Sequence, residues 1–286
     1  MNKVIKMEII RTLHQIRNKS IEFQKGIQTI AFIPTMGSLH EGHLSLIDYA
    51  KMNADIVVVS IFVNPTQFNE SKDFNNYPRN EKFDITLCKG KSVDIVFIPD
   101  KDEMTNNLTV KVYEDELSSY HCGKFRPGHF EGVCTIVLKL FNLIQPHIAI
   151  FGQKDFQQLK IIEKMVNDLN LSIKIHSVPT YRDVDGLAMS SRNKLLSVKE
   201  RQLATNIFKL LIKGKKLFDY GEKNTTQIAK MILSSIKKID GLTLEYIDIV
   251  DFDTFKKIDK IVCKSIIIIA VRVGKIRLID NLIIND

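Results

Sequence analysis

Two histidines, His40 and His43, stand three positions apart in the segment PTMGSLHEGHLSL, residues 34–46. An apolar run precedes the segment and an amphipathic run follows it, which predicts a strand, a turn and the start of a helix. Backbone N–H groups and the positive end of a helix dipole bind anions at such a junction. Gly37 and Gly42 would let a nucleotide approach the backbone, and both imidazoles could donate hydrogen bonds to its phosphates. The residues therefore favour a phosphate-binding turn.

Two other interpretations of the histidine pair are weaker. Zinc-binding histidines of the H-E-x-x-H type stand four positions apart with a glutamate between them, whereas the spacing here is three. An isolated H-x-x-H is usually a solvated helix start, but the preceding strand and glycine turn favour an anion site.

Polar side chains also follow two later apolar runs. In FVNPTQF, Asn64 and Gln67 are neutral hydrogen-bonding groups suited to a hydroxyl or carboxylate substrate. In FGQKDFQQL, Lys154 and Gln158 are four positions apart and would lie on one side of a helix. A solvated lysine and a surface amide are the alternatives for this second pair.

Two loops carry positive charge. AMSSRN ends in Arg192 and Asn193, and the glycine-rich CGKFRPGHFEGV holds Lys124, Arg126 and His129. Either loop could be a structural linker. Either could also supply the cations that a polyphosphate transition state requires.

The elements that must position these residues alternate along the first part of the chain. Short β-branched runs separated by helical stretches predict a parallel sheet covered by helices, and Asp155 is a candidate N-cap for a helix over residues 155–170. After residue 179, two amphipathic helices precede three strands with short connections, which is typical of an antiparallel meander. We therefore predict an α/β fold: a Rossmann-like parallel-sheet domain over residues 1–179 and a smaller C-terminal α+β domain containing an antiparallel sheet over residues 180–286.

Composition excludes several classes of protein. No apolar run is long enough to span a bilayer and no signal peptide is evident, so we expect a cytoplasmic protein without a membrane partner. The four scattered cysteines suit neither a zinc knuckle nor a disulfide framework. The net charge is +8, and most of the excess lies from Tyr181 onward, with 20 basic against 13 acidic residues. These lysines are spread along helices without a dense patch, so we expect no nucleic-acid partner.

The motifs form an ordered set. PTMGSLHEGHLSLI, FVNPTQF, YPR, RPGHFEGVCTIVLKLFNLIQP, FGQKDFQQL and DGLAMSSRN together resemble the pantothenate synthetase (pantoate-beta-alanine ligase) family, within the HxGH nucleotidyltransferase superfamily. The match runs from about residue 30 to 193, and H-x-G-H alone would indicate only the superfamily. The resemblance implies a two-step reaction: pantoate and ATP give pantoyl adenylate and pyrophosphate, then β-alanine displaces AMP to give pantothenate.

The resemblance also implies residue roles. His43 would be the proton donor, with His40, Lys154 and Arg192 as the other catalytic residues. The residues that would bind pantoate and β-alanine, or close a flap over them, are Gln67, Gln158, Asn64 and Arg126. Asp73 would lie near a Mg²⁺ ion on the ATP phosphates. The protein would be a homodimer. The residues expected to bind ATP are Met36, Gly37, Ser38, Leu39, His40, Glu41, Gly42, His43, Gly152, Gln153, Lys154, Asp155, Tyr181, Met189, Ser190, Ser191 and Arg192.

The chain departs from the commoner family pattern at Gln153, His147 and Tyr181, of which Tyr181 matters most because the family recognises adenine through the backbone there. Two rival functions explain the residues less well. Another nucleotidyltransferase would share the histidines but should lack the paired glutamines and SSRN. A non-enzymatic anion- or nucleic-acid-binding protein could explain the basic C-terminal third. Such a protein would not need polar and charged residues in four successive loops at the edge of the sheet.

Overall fold

The chain folds into two units, described over residues 7–285 in a computed structural model. Residues 1–6 and 286, which fall within the two predicted domains, lie outside the described residues. The first unit runs to Gln153 and resumes over Ile161–Pro179. The second contains Lys154–Lys160 and the chain from Thr180 onward. Two contiguous domains were predicted, so the short segment Lys154–Lys160 was not expected in the second unit.

The first unit is built on a six-stranded parallel sheet in the order β1-β4-β3-β2-β5-β6. Its central strands are near-continuous apolar runs, as expected for strands whose two faces are both covered by helices. The strand order reverses between the neighbours β2 and β5, and open α/β sheets bind ligands beyond the carboxyl ends of strands at such a reversal. The strands are β1 (Glu8–Ile10), β2 (Ile30–Thr35), β3 (Ile56–Ile61), β4 (Ile95–Phe97), β5 (Ile148–Gly152) and β6 (Lys174–Val178).

Three helices of this unit begin at side-chain caps. Thr12, Asn80 and Asp100 each accept a hydrogen bond from a backbone N–H in the first turn that follows. The core contains Phe32 of β2, whose ring meets the edge of Phe141 at a centroid distance of 6.2 Å. The helices are α1 (Leu13–Lys25), α2 (Glu41–Asn53), α3 (Ser71–Asn75), α4 (Glu81–Gly90), α5 (Lys101–Thr105), α6 (His121–Phe125), α7 (His129–Ile144) and α8 (Phe156–Asp168), whose first turn belongs to the second unit.

The second unit has an antiparallel sheet in the order β7-β8-β9. Ser197 and Glu200 form a capping box at the start of the long helix α9, and Asn224 caps the next helix, α10. Apolar residues of both helices and of the sheet form one buried cluster. The elements are α9 (Val198–Asp219), α10 (Thr225–Ile236), β7 (Leu242–Asp251), β8 (Ser265–Val273) and β9 (Ile276–Ile284).

The predicted fold class is confirmed: a parallel sheet with helices precedes a smaller unit with an antiparallel meander. The elements that the sequence did not predict are β1, α1 and the five-residue helices α3, α5 and α6. All four cysteines are free thiols. Within residues 7–285, no helix combines the length and apolar character needed to cross a bilayer.

Candidate active site

The turn between β2 and α2 is held by a carboxylate from a distant helix. Asp84 of α4 accepts hydrogen bonds from the backbone N–H groups of Ser38 at 2.8 Å and Leu39 at 2.7 Å, and its side chain is buried. Gly37 has φ +73°, and a Cβ there would lie 3.0 Å from both Asp84 Oδ2 and Ile61 Cγ2. Asp84 therefore fixes a left-handed turn that only glycine fits without strain.

This contact changes the interpretation of the turn. The N–H groups of Ser38 and Leu39, which the sequence assigned to an anion, already donate to Asp84. Gly37 is needed for close packing against that carboxylate, whereas the sequence assigned it to the approach of a nucleotide. A phosphate-binding role at this turn is therefore expected of the two imidazoles and the N-terminal end of α2.

The two imidazoles lie side by side at that helix start. His40 is the N-cap, with extended backbone at φ −151° and ψ 174°, and His43 is the third residue of α2. Their ring centroids are 4.1 Å apart. Nδ1 of His43 accepts a hydrogen bond of 3.3 Å from the backbone N–H of His40. In the neutral ring the proton then resides on Nε2, so the N–H donor of the His43 imidazole is Nε2–H.

Asn64 and Gln67 lie in a short 3-10 turn, Pro65–Gln67, after β3. Nδ2 of Asn64 donates to Gln67 Oε1 at 2.9 Å and to the carbonyl of Gly132 at 3.0 Å. Its Oδ1 accepts from the backbone N–H of Thr66 at 3.1 Å and from the Thr66 hydroxyl at 2.7 Å. All hydrogen-bonding positions of this amide are therefore occupied. The substrate contact of Asn64 stays a prediction; in this structure its amide orients Gln67.

Gln67 keeps an exchangeable donor. Its Nε2 donates to the thioether sulfur of Met36 at 3.1 Å. A thioether is a weak acceptor, so a carboxylate or hydroxyl oxygen would be a better partner for the same N–H group. The backbone carbonyl of Gln67 accepts from Arg126 Nη2 at 3.1 Å. Arg126, expected to hold a flap, here holds the main chain of the 3-10 turn.

Asp73 was predicted to lie near a Mg²⁺ ion. It lies on the five-residue helix α3. Among the described residues, no three histidine, cysteine, aspartate or glutamate side chains are grouped as metal ligands. Residues 7–285 therefore offer no grouped set of ligands for a resident Mg²⁺ ion, and the place of Asp73 near a Mg²⁺ ion stays a prediction.

Beyond β5, the chain passes from the first unit into the second. Nε2 of Gln153 donates to the Ser177 hydroxyl of β6 at 3.2 Å. In the second unit, Lys154 lies in a 3-10 turn before α8, with Nζ 3.6 Å from Asp155 Oδ2, and Gln158 follows one turn later and is half-buried.

The backbone of Lys154 is fixed within the second unit. Asn281 Nδ2 donates to the Lys154 carbonyl at 3.0 Å. The adjacent Asp280 makes a bidentate ion pair with Arg182, at 2.7 and 2.9 Å. Burial raises the pKa of the Asp280 carboxyl, and the Arg182 guanidinium opposes that shift by stabilising the ionised form. This sequence-distant network holds the segment that carries Lys154, and no sequence signal had singled out Asn281.

The loop Met189–Arg192 of the same unit directly follows a short β-bridge. The Tyr181 carbonyl accepts from the Met189 N–H at 2.9 Å, and Arg182 bridges to Ala188. Ser190 then caps a 3-10 turn by accepting from the Arg192 N–H at 3.3 Å. The Tyr181 side chain is exposed, and its carbonyl is already bonded in the hairpin.

Comparisons with known proteins agree with one another. Residues 8–283 match the family model described as Pantoate-beta-alanine ligase. A pantothenate synthetase of Fervidobacterium nodosum is 49% identical over 98% of this chain and 100% of its own length. Among solved structures, a pantothenate synthetase from Thermus thermophilus aligns with a TM-score of 0.91 at 36% identity, over 96% of this chain and 99% of the other. The enzyme of Francisella tularensis, in complex with beta-gamma ATP and beta-alanine, aligns with a TM-score of 0.80 at 35% identity, over 97% of each chain.

Proposed function

Because this chain belongs to the pantoate-beta-alanine ligase family, it joins pantoate to β-alanine at the expense of ATP, and we propose that His40 and His43 bind the ATP phosphates in that reaction. The observation that carries this proposal is the hydrogen bond from the His40 backbone to His43 Nδ1. It places the proton of the neutral His43 ring on Nε2, and an N–H donor of this kind suits a phosphate oxygen whose negative charge grows.

The reaction proceeds in two steps. A carboxylate oxygen of pantoate attacks the α-phosphorus of ATP, so that a new P–O bond forms as pyrophosphate leaves. The amine of β-alanine then attacks the acyl carbon of pantoyl adenylate, and AMP leaves as the amide bond forms. Since a carboxylate is already ionised at neutral pH, the first step depends on charge stabilisation and alignment more than on a strong base.

Positive charge and nucleotide contacts are proposed for the loops that the resemblance singled out. Lys154 and Arg192 neutralise phosphate charge, and the hydrogen bond from Asn281 to the Lys154 carbonyl supports a fixed position for that lysine within its unit. We propose that the nucleotide also contacts residues Met36, Gly37, Ser38, Leu39, Glu41, Gly42, Gly152, Gln153, Asp155, Tyr181, Met189, Ser190 and Ser191. Ser38 and Leu39 would meet it through atoms other than the N–H groups that donate to Asp84.

Gln67 and Gln158 are proposed to bind pantoate, and Gln67 also β-alanine. The support for Gln67 is its exchangeable Nε2–H, which now meets only the sulfur of Met36. Asn64 and Arg126 are proposed to position Gln67, because both donate to it.

Magnesium is proposed to enter with ATP as part of the substrate. Mg²⁺ commonly keeps several waters and binds substrate phosphates through few protein groups. When bound, it would neutralise phosphate charge. This proposal is consistent with the lack of a grouped set of ligands among residues 7–285.

A homodimer is also proposed. The segment from residue 108 to 114 has no regular secondary structure, and it exposes Val110 by 78% and Tyr113 by 63%. Such exposed apolar side chains are suited to cover by a second copy. Sedimentation of the wild-type protein should give twice the chain mass of 32.8 kDa, and a mass equal to one chain would refute the dimer.

The site assignment is tested by removing single donors. His43→Ala and Lys154→Ala should each lower kcat by about 10²- to 10³-fold, the usual loss when one charge-stabilising donor is deleted. His14→Ala, in the exposed first turn of α1, is the control for loss of a histidine. AMP and pyrophosphate are followed with MgATP and pantoate, with and without β-alanine. Near-normal turnover in a folded variant would remove that residue from the mechanism, and AMP release independent of β-alanine would contradict the second step.

A further inference from the structure

A buried histidine outside the predicted residues contacts the main chain of Gln67. His129, the first residue of α7, is 6% exposed. Its Nδ1 lies 2.8 Å from the carbonyl oxygen of Gln67. A carbonyl can only accept a hydrogen bond, so Nδ1 must carry the proton.

The other ring nitrogen faces a guanidinium. Nη1 of Arg126 lies 3.0 Å from His129 Nε2, while Nη2 of the same side chain donates to the Gln67 carbonyl at 3.1 Å. An arginine can only donate, so Nε2 must accept and is unprotonated. The two contacts together define one form of His129: the neutral ring with its proton on Nδ1. Arg126, His129 and the Gln67 carbonyl are thus joined in a closed triangle of hydrogen bonds.

The helix that carries His129 is pressed against the turn that carries Gln67. A Cβ added at Gly132 would lie 2.5 Å from the backbone carbon and oxygen of Thr66, so only glycine permits this contact. The Gly132 carbonyl accepts from Asn64 Nδ2. The start of α7 therefore positions the 3-10 turn through close packing and through hydrogen bonds to both its backbone and its side chains.

We propose that His129, as its Nδ1-protonated neutral form, is a positioning residue that acts with Arg126 to fix the main chain of Gln67 and so aims its amide at the acid substrates, pantoate and β-alanine. The inference rests on the proposed role of Gln67 and adds His129 to the residues that set the affinity for those substrates. His129 itself does not touch the reacting atoms in this account.

Two substitutions separate the two ring contacts. His129→Asn places an amide N–H near the position of Nδ1 and can keep the bond to Gln67. His129→Gln places its amide near the position of Nε2, so it can accept from Arg126 but loses the bond to Gln67. Loss of one hydrogen bond that orients a binding group typically costs about 5- to 10-fold. His129→Gln should therefore raise KM for pantoate and β-alanine by about that factor and leave KM for ATP within about 2-fold, with His129→Asn closer to wild type.

Two further variants supply a control and a test of the premise. His176→Gln changes a half-buried histidine that bonds Tyr49, and it should leave all three KM values unchanged. Gln67→Ala tests the premise: if KM for pantoate and β-alanine does not rise in that variant, the role of Gln67 fails. If Gln67→Ala raises those KM values but His129→Gln and His129→Asn behave alike, the role of His129 is overturned.

A measurement on the wild-type enzyme covers the case in which the variants do not fold. Nitrogen-15 NMR of histidine-labelled protein should show Nδ1 of His129 protonated and Nε2 bare at neutral pH. A ring protonated at Nε2 would overturn the proposal.

In the double variant Gln67→Ala/His129→Gln, KM for pantoate should rise no further than in Gln67→Ala alone, since both changes act through one side chain.

Discussion

Replacing Asp84 by asparagine tests the anchor of the histidine turn with the smallest change in shape. Asp84 accepts from Ser38 and Leu39 through different oxygens. An asparagine has one oxygen and one NH₂ group, so one of the two backbone N–H groups would face a donor. The variant therefore loses one charge-assisted bond, weakens the other, and leaves a buried donor without an acceptor.

The expected magnitude follows from these contacts. A hydrogen bond to a charged group contributes about 1.5–3 kcal/mol, and an unsatisfied buried donor costs about 1–3 kcal/mol. These effects overlap because the turn can relax, so we expect a net loss of about 2–4 kcal/mol in the free energy of unfolding. At about 2–4 °C per kcal/mol for a protein of this size, Tm should fall by about 4–16 °C.

The assay pairs thermal unfolding with kinetics at a temperature where the variant stays folded. A displaced turn should also lower kcat/KM for ATP by at least about 10-fold, since His40 follows Leu39 directly and misplacement of a binding group is costly. Asp48→Asn, which removes an exposed carboxylate paired with Lys91, is the matched control for charge. An unchanged Tm would refute the anchor itself. A lowered Tm with unchanged kcat/KM would refute its link to nucleotide binding.

Two other perturbations have defined outcomes. Asp73→Asn should change kcat and the Mg²⁺ dependence by less than about 3-fold, because Mg²⁺ that enters with ATP takes most of its ligands from the phosphates and water; a rise of about 10-fold or more in the Mg²⁺ requirement would restore Asp73 as a ligand. Burial and the nearby Lys174 charge lower the pKa of His176 from its ordinary value of 6.5. The unfolded chain therefore binds the proton more readily, so His176 makes stability fall as pH drops below about 6.5, and the fall levels off below the lowered pKa. Denaturant titrations of wild type and His176→Gln across pH 4–8 should show a shallower acid loss in the variant, and parallel curves would contradict this assignment.

The sheet could be predicted because its strands carry their own signal. IAFIPT and IVVVSI are continuous apolar runs bounded by polar turns, which is what strands buried on both faces require. β1 offers only EII, too short to show a period, and it forms because β4 supplies a partner. Helix α1 did have a signal, with Thr12 as N-cap and Ile16 and Phe23 on one buried face, but the frequent charges obscured it.

The sequence could nominate residues for the candidate site but could not show their contacts. His40, His43 and Gln67 stand in local motifs that nominate them. Asp84 is 45 positions from Leu39, and within its own helix it resembles any first-turn acidic residue. His129 was noticed only as part of a positively charged loop, and its bond to Gln67 spans 62 positions. Long-range pairing of this kind is set by packing, which a single sequence does not display.

The placement of Lys154–Lys160 has a consequence for how the enzyme can be divided. The Phe156 ring packs against Phe252 and Phe255 at centroid distances of 5.0 and 6.0 Å, all within the second unit. A gene cut after Pro179 would leave Phe156 on a fragment that lacks both partners and would separate Lys154 from Asn281. If the chain after Pro179 were exchanged for that of a relative, Lys154 would contact the relative's residues in place of Asn281. Although each unit has its own sheet, the boundary at Pro179 is therefore a poor place to exchange one of them.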